Sequence, residues 1–261
     1  MAILVTRPEP GNAATARALR ARGHDVLLSP MLQFEPVAFR DDGDNDYDAV
    51  ILTSANTVRA LSEDPDGQAA WMRWRALPVY AVGDRTAEAA RGAGFATVFS
   101  AQGDADALRD LLMQQVADGK LKAGARLCYP AAANISRDIA ADFGVHGFTV
   151  VTHTAYRMAP LAELSADVGR ALRLAGVEAV LHYSRRSAQA FVAAARGAGV
   201  EVSALAVPQY CISEVVGAVL REAGAARVTV AHAPDEDAMF AALARAVTPV
   251  SRLRRSSGLP A

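Results

Sequence analysis

Shifting the sequence by 130 positions lays Val50 on Val180, Ser54 on Ser184, Gly83 on Ser213 and Gly94 on Gly224. No gap is needed between Ser54 and Gly83, or between Ser184 and Ser213. Each matched stretch reads strand, turn, helix, and then the same again. The recurrence predicts two copies of one α/β unit. Alternating βα units of this kind build parallel sheets covered by helices.

The individual elements follow from short apolar runs broken by turn residues. Strands are predicted at 3–5, 26–28, 48–52, 78–82, 96–99, 125–129, 148–153, 177–181, 209–212 and 227–230. Helices are predicted at 13–22 with Asn12 as N-cap and Gly23 as stop, at 134–143, at 215–223, and from Asp235 through Val247. Further helices follow Thr57, Thr86 and Asp106. The stretch 40–48, rich in aspartate, reads as a solvated loop, and the tail from Pro249 as a frayed end.

Composition removes several function classes. The formal net charge is −1, whereas nucleic-acid binding calls for a basic excess. No apolar run approaches the ~20 residues that span a bilayer. The opening Met1-Ala2-Ile3-Leu4-Val5 lacks the basic flank of a secretion signal, which predicts a cytoplasmic address. Cys128 and Cys211 sit in apolar runs and read as buried thiols. Neither they nor the five histidines show CxxC or HxxxH spacing, so no metal site is expected. There is no GxGxxG, GxxxxGK[ST] or GxSxG motif. His182 lies two residues before Ser184, but the first reading of it is packing rather than nucleophile activation.

In open parallel sheets, ligands bind beyond the carboxyl ends of the strands. Three turns of each copy fall there. The first copy has Thr53-Ser54-Ala55-Asn56, Gly83-Asp84-Arg85-Thr86 and Gly103-Asp104-Ala105-Asp106. The second has Tyr183-Ser184-Arg185-Arg186, Ser213-Glu214-Val215 and Ala233-Pro234-Asp235-Glu236. Small hydroxyl residues at a helix start expose N–H groups that suit carboxylates. The simpler alternative for each turn is ordinary N-capping. Arg7, Arg85, Arg185 and Arg186 also fall at strand ends, where a guanidinium fork can match a carboxylate or merely stand in solvent.

These segments resemble those of the uroporphyrinogen-III synthase family. The opening Val5-Thr6-Arg7-Pro8 with Gly23 is similar, as is Ser29-Pro30. Tyr47-Asp48-Ala49-Val50-Ile51-Leu52-Thr53-Ser54-Ala55-Asn56-Thr57-Val58 resembles the family's central segment. Ala81-Val82-Gly83-Asp84-Arg85-Thr86-Ala87 with Gly94-Phe95, and Tyr183-Ser184-Arg185-Arg186-Ser187-Ala188 through Phe191, match in order. The likeness runs from Ile3 to about Val247.

The resemblance implies two similar parallel-sheet α/β domains joined by a two-stranded connector, with the active site in the cleft between them. Residues 1–36 plus 159–247 would form one domain and 37–152 the other, with 153–158 as return connector and 248–261 as tail. It implies a lyase that cyclises hydroxymethylbilane to uroporphyrinogen III, without metal or organic cofactor. Tyr156 matches the family's tyrosine near the return crossing and would be catalytic, although a packing role is the alternative. Substrate would be bound by Arg7, Thr53, Ser54, Ala55, Asn56, Gly83, Arg85, Thr86, Tyr183, Ser184, Arg185, Arg186 and Ser213. The chain departs from the family where Ser213, Val215, Val216 and Gly217 replace a Gly followed by Thr-Ala, so only Ser213 carries over there. The expected partners are the small-molecule substrate and, transiently, the preceding enzyme of the pathway. A monomer is expected, with no nucleic acid and no membrane. A non-catalytic two-domain binder of a small anion is the second reading.

Overall fold

The computed structural model describes residues 1–38, 46–135 and 137–245. Most of the aspartate-rich loop and the whole expected tail therefore lie outside the described residues. In chain order the elements begin with β1 (Ala2–Val5), α1 (Gly11–Ala21), β2 (Asp25–Leu28) and β3 (Leu32–Pro36). The next are β4 (Ala49–Leu52), α2 (Ala55–Glu63), α3 (Pro65–Trp74), β5 (Val79–Ala81), α4 (Asp84–Gly92), β6 (Val98–Ser100) and α5 (Ala105–Ala117). Then follow β7 (Arg126–Ala132), α6 (Ile139–Gly144), β8 (Thr149–Pro160), α7 (Ala166–Arg173) and β9 (Val177–His182). The last are α8 (Arg185–Gly197), α9 (Glu201–Ala206), β10 (Gln209–Cys211), α10 (Glu214–Glu222), β11 (Val228–Val230) and α11 (Glu236–Ala244).

The chain divides into two compact units. Unit 1 comprises Met1–Phe34 and Ala159–Ala261; unit 2 comprises Glu35–Met158. The sheet of unit 1 runs β11-β10-β9-β1-β2, all parallel. The second sheet runs β6-β5-β4-β7-β8-β3, parallel from β6 through β8. The two orders correspond strand for strand, with β1 in the place of β7 and β2 in that of β8. Unit 1 is thus the unit 2 topology cut open between its third and fourth strands, the fourth and fifth coming first in the chain.

The 130-residue spacing is kept in detail. Three elements of each unit, β5, α4 and β6 against β10, α10 and β11, have bounds that differ by that shift. Gly94 and Gly224 end their helices with φ of 94° and 99°, the left-handed region where glycine carries no Cβ penalty. The cap positions Gly83 and Ser213 share extended backbones, at φ −153° and −155°.

Strand alternation sorts the core. In β1, Leu4 joins Val180 and Phe191 on one face, while Ile3 and Val5 join Leu181, Tyr210 and Phe240 on the other. Burying each such aliphatic side chain stabilises by roughly 1.5–3 kcal/mol. In unit 2, Ile51, Tyr80, Leu127, Leu112 and Phe143 pack in one core. Cys128 and Cys211 are both buried free thiols, and burial pushes the Cys211 pKa up to about 12.

Strands β3 and β8 carry the chain between the units. Val37 N–H donates to the Ala155 carbonyl at 2.9 Å, and Leu161 N–H to that of Met31 at 3.0 Å. Residue numbers rise on one strand as they fall on the other, so the pair is antiparallel. Two local expectations are corrected. Pro10 takes the N-cap position of α1, because proline is tolerated at a helix start, and Asn12 is buried inside the first turn. Helix α6 begins at Ile139 with Asp138 as its cap, since the Asp138 side chain accepts from Ala141 N–H at 3.0 Å. Asn134 and Arg137 are therefore in the turn after β7, not on a helix.

Candidate active site

In unit 2, strand β4 is buried at all four positions and delivers Thr53 and Ser54 to the carboxyl edge. Ser54 is extended, and its hydroxyl caps α2 by accepting from Asn56 N–H at 3.2 Å. Ala55 and Asn56 form the half-buried first turn. Thr53 Oγ1 lies 3.1 Å from the Tyr129 hydroxyl. Both residues line a cavity of about 460 Å³ with Ser54, Val82, Asn134, Arg137 and Tyr156. Burial raises the Tyr129 phenol above its ordinary pKa; the Thr53 bond opposes that shift and the neighbouring Tyr156 adds to it. The Tyr129 phenol thus keeps its proton at neutral pH.

Gly83 caps α4 without a side-chain bond. Its carbonyl accepts from Thr86 and Ala87, at 3.1 and 3.0 Å. The first N–H groups of a helix have no partner within it, so those of Asp84 and Arg85 point outward. A Cβ at Gly83 would meet nothing within 4 Å, so the turn is open. Arg85 is exposed, whereas Thr86 is buried with its N–H already engaged. Gly83, Arg85 and Thr86 do not line the Tyr156 cavity.

The carboxyl edge of unit 1 is built around Glu236, on the first turn of α11. Its Oε1 accepts from the Thr15 hydroxyl at 2.5 Å, the Tyr183 hydroxyl at 3.0 Å and Arg7 Nη1 at 3.3 Å. The Arg7 guanidinium also lies 4.8 Å from the Tyr183 ring centroid, in cation–π range. A Cβ on Gly11 would come within 2.3 Å of Arg7 Nε, so that glycine makes room for the side chain. Burial, then the Glu236 charge, pushes the Tyr183 phenol well above its ordinary range. Arg7 is therefore a held cation rather than a solvated one.

Ser184 caps α8, accepting from Ser187 N–H at 3.1 Å and donating to the Ser187 hydroxyl at 2.9 Å. Arg185 is exposed and Arg186 half-buried on the same first turn. Ser213 caps α10 with its carbonyl alone; its hydroxyl makes no cap bond. His182 is fully buried among Gln209, Thr6 and Phe191 and does not reach the surface.

A family model described as "Uroporphyrinogen-III synthase HemD" matches residues 13–241, most of the chain. The chain belongs to the uroporphyrinogen-III synthase family. It is an enzyme of the family's class, a cyclising lyase of tetrapyrrole biosynthesis. Its fold is similar to that of uroporphyrinogen-III synthetase from Helicobacter pylori, at 16% identity and TM-score 0.58 over 94% of this chain and 98% of that one. A mutant uroporphyrinogen III synthase from Thermus thermophilus aligns at 17% identity and TM-score 0.49, over 94% and 98%. No curated protein matches the chain. No helix among the described residues is long and apolar enough to cross a membrane.

The strand-end residues named from sequence lie at carboxyl edges, Thr53 and Ser54 around one cavity with Tyr156 from within β8, Arg7 and Tyr183 around Glu236. Residue reading missed Tyr129, Arg137 and Thr15, and it named Glu236 only within a helix-start turn, not as the partner of Arg7. Arg137 was hidden by the misplaced start of α6. Glu236 meets Arg7 across 229 residues, a contact that local patterns do not reveal.

Proposed function

We propose that the unit 2 cavity holds the reacting end of hydroxymethylbilane, and that Tyr156 assists loss of its hydroxyl. The observation behind this reading is the placement of the buried Tyr156 in one cavity with the Thr53–Tyr129 pair and the capped start of α2. The Tyr156 phenol donates a hydrogen bond to the departing hydroxyl. The C–O bond breaks, the hydroxyl leaves as water, and the pyrrole N–H proton is given up, so a neutral azafulvene remains. The substituted carbon of ring D then attacks the azafulvene methylene and forms a spiro intermediate. That intermediate fragments, ring D turns over, and the ring closes at the other position with loss of the last ring proton. The net change is bilane to uroporphyrinogen III plus water.

Unassisted, the bilane closes to the symmetric isomer, so the task of the protein is to hold the chain in the geometry of the spiro route. Helix starts suit that task because backbone donors are already fixed. On this reading Ser54, Ala55, Asn56, Gly83, Arg85 and Thr86 in unit 2, and Arg7, Tyr183, Ser184, Arg185, Arg186 and Ser213 in unit 1, form carboxylate-binding turns. Spontaneous closure also favours rapid handover, which supports a monomer in transient contact with the preceding enzyme. We extend the reading to the cytoplasm, where both buried free cysteines stay thiols.

The deciding experiment supplies enzymatically generated hydroxymethylbilane and analyses the oxidised porphyrin isomers. Isomer III is expected. Isomer I alone, at the rate of the protein-free control, would reduce the chain to a binder.

A further inference from the structure

The topology that relates the two sheets also relates two acid–arginine pairs. Helices α5 and α11 each follow the third strand of their unit, and each carries an acid in its first turn, Asp106 and Glu236. Each acid holds an arginine from the turn after the fourth strand: Arg7 follows β1, and Arg137 follows β7. Glu236 takes Arg7 at 3.3 Å. Asp106 takes both terminal nitrogens of Arg137, at 3.0 and 2.9 Å. The same contact has thus been built twice, at equivalent places, from residues of different spacing in the chain. An incidental surface ion pair has no reason to recur in this way.

Arg137 is held more firmly than Arg7. Its Nε donates to Asp142, so three directions of the guanidinium are fixed. Asp106 is shared with Arg109 at 2.8 Å, and Arg109 also reaches Asp110. A guanidinium has five N–H groups, so one on each terminal nitrogen of Arg137 remains. The side chain lines the cavity that contains Tyr156 and is 40% exposed. Asp106 occupies the Nη1/Nη2 end and Asp142 the Nε–H, so the two remaining N–H groups lie on opposite edges. Each is a single donor to a carboxylate, already fixed in direction at little further ordering cost. Its charge is largely offset by the acids, so it supplies direction more than long-range attraction.

We propose that Arg137 is the carboxylate-binding arginine of the unit 2 cavity, held by Asp106 and Asp142 as Arg7 is held by Glu236. The assignment rests on the reading of that cavity as a bilane site. Asp106 and Asp142 act through Arg137 and are positioning residues.

The test compares wild type, Arg137→Gln, Arg137→Lys and Asp106→Asn, with Arg196→Gln as control because Arg196 pairs with Glu201 at the far end of α8. Each is assayed with enzymatically generated bilane for KM, kcat and isomer share, and for its thermal midpoint. Arg137→Gln raises KM about tenfold, lowers kcat less, and increases isomer I. Arg137→Lys fails to restore KM, because an ammonium cannot keep the planar contacts to Asp106 and Asp142 that fix the direction of the remaining N–H groups. Asp106→Asn keeps the arginine but loosens it, and raises KM about threefold at an unchanged salt slope. That variant carries the test if Arg137→Gln fails to fold. Wild type that yields isomer III beside a folded Arg137→Gln with unchanged KM overturns the arginine assignment alone. Full rescue by lysine overturns it too. Wild type that yields only isomer I overturns the reading beneath it.

Discussion

Acidification weakens unit 1 through the buried imidazole of His182. His182 is fully buried, and burial depresses its pKa from 6.5 to about 4. Its tautomer follows from its neighbour: the Gln209 amide nitrogen donates to the Ala204 and Val207 carbonyls, at 2.8 and 2.7 Å. Gln209 Oε1 therefore faces His182 Nε2, at 2.9 Å, and the histidine must donate there. Protonation would add a second proton at Nδ1, beside a Thr6 hydroxyl that already donates to the Leu181 carbonyl at 2.8 Å. The unfolded chain binds that proton near pH 6.5 and the folded chain near pH 4, so the stability contribution is complete above 6.5 and is lost as pH falls toward 4. At 1.36 kcal/mol per pH unit, the loss between pH 7 and pH 4.5 is about 2–2.5 kcal/mol. Urea unfolding of wild type and His182→Gln at both pH values isolates the term, because other titrating groups cancel in the difference. The variant is less stable at pH 7, and the gap narrows by about that amount at pH 4.5. Parallel pH curves for the two proteins would refute the argument and show that the imidazole titrates in the folded state near its free value.

Three further outcomes follow from the site. Tyr156→Phe keeps the fold and slows isomer III formation by about 10²-fold or less, the low end of general-acid effects, because the hydroxyl departs readily; an unchanged rate at unchanged KM removes Tyr156 from the mechanism. Replacing Arg185 and Arg186 together by Ala raises KM more than it lowers kcat and flattens the salt dependence of capture; wild-type KM with the wild-type salt slope would leave recognition to backbone donors. Gly11→Ala drives the Arg7 guanidinium off Glu236, because the new Cβ would lie 2.3 Å from Nε. The helix tolerates that substitution, so the thermal midpoint holds within a few degrees while KM rises, and identical KM would show that the Arg7 position is immaterial.

Much of the architecture was legible because its signals are local. Four consecutive buried apolar residues mark β4, and the serine after it both ends the strand and caps the helix. The repeat then carried the assignment across to β9 and Ser184. Legibility failed where tertiary contacts decide. The turn after β7 has the composition of a helix start, but α6 begins at Ile139 behind the Asp138 cap rather than at Asn134, and that later start leaves Arg137 for Asp106. Strand β8 runs twelve residues because it pairs with both β7 and β3, far beyond the six that its apolar pattern suggested. The carboxyl-edge turns, Asp106 and Glu236 among them, could be listed from sequence, but which arginine each of these acids holds appears only in the folded chain.

The order of strands in unit 1 also sets a timetable for synthesis. Strand β1 is central in its sheet, and Ile3, Leu4 and Val5 are wholly buried there. One of its two neighbours, β9, is translated late: Thr6 waits 175 residues for the Leu181 carbonyl. At ~5–20 residues per second that delay is on the order of 10–30 s. Every residue of unit 2 leaves the ribosome within it, so that unit can close while the first strand and helix of unit 1 still expose an apolar edge. The nascent chain passes through a stage in which one half is finished and the other holds an open, sticky strand, the species that a holding chaperone would meet.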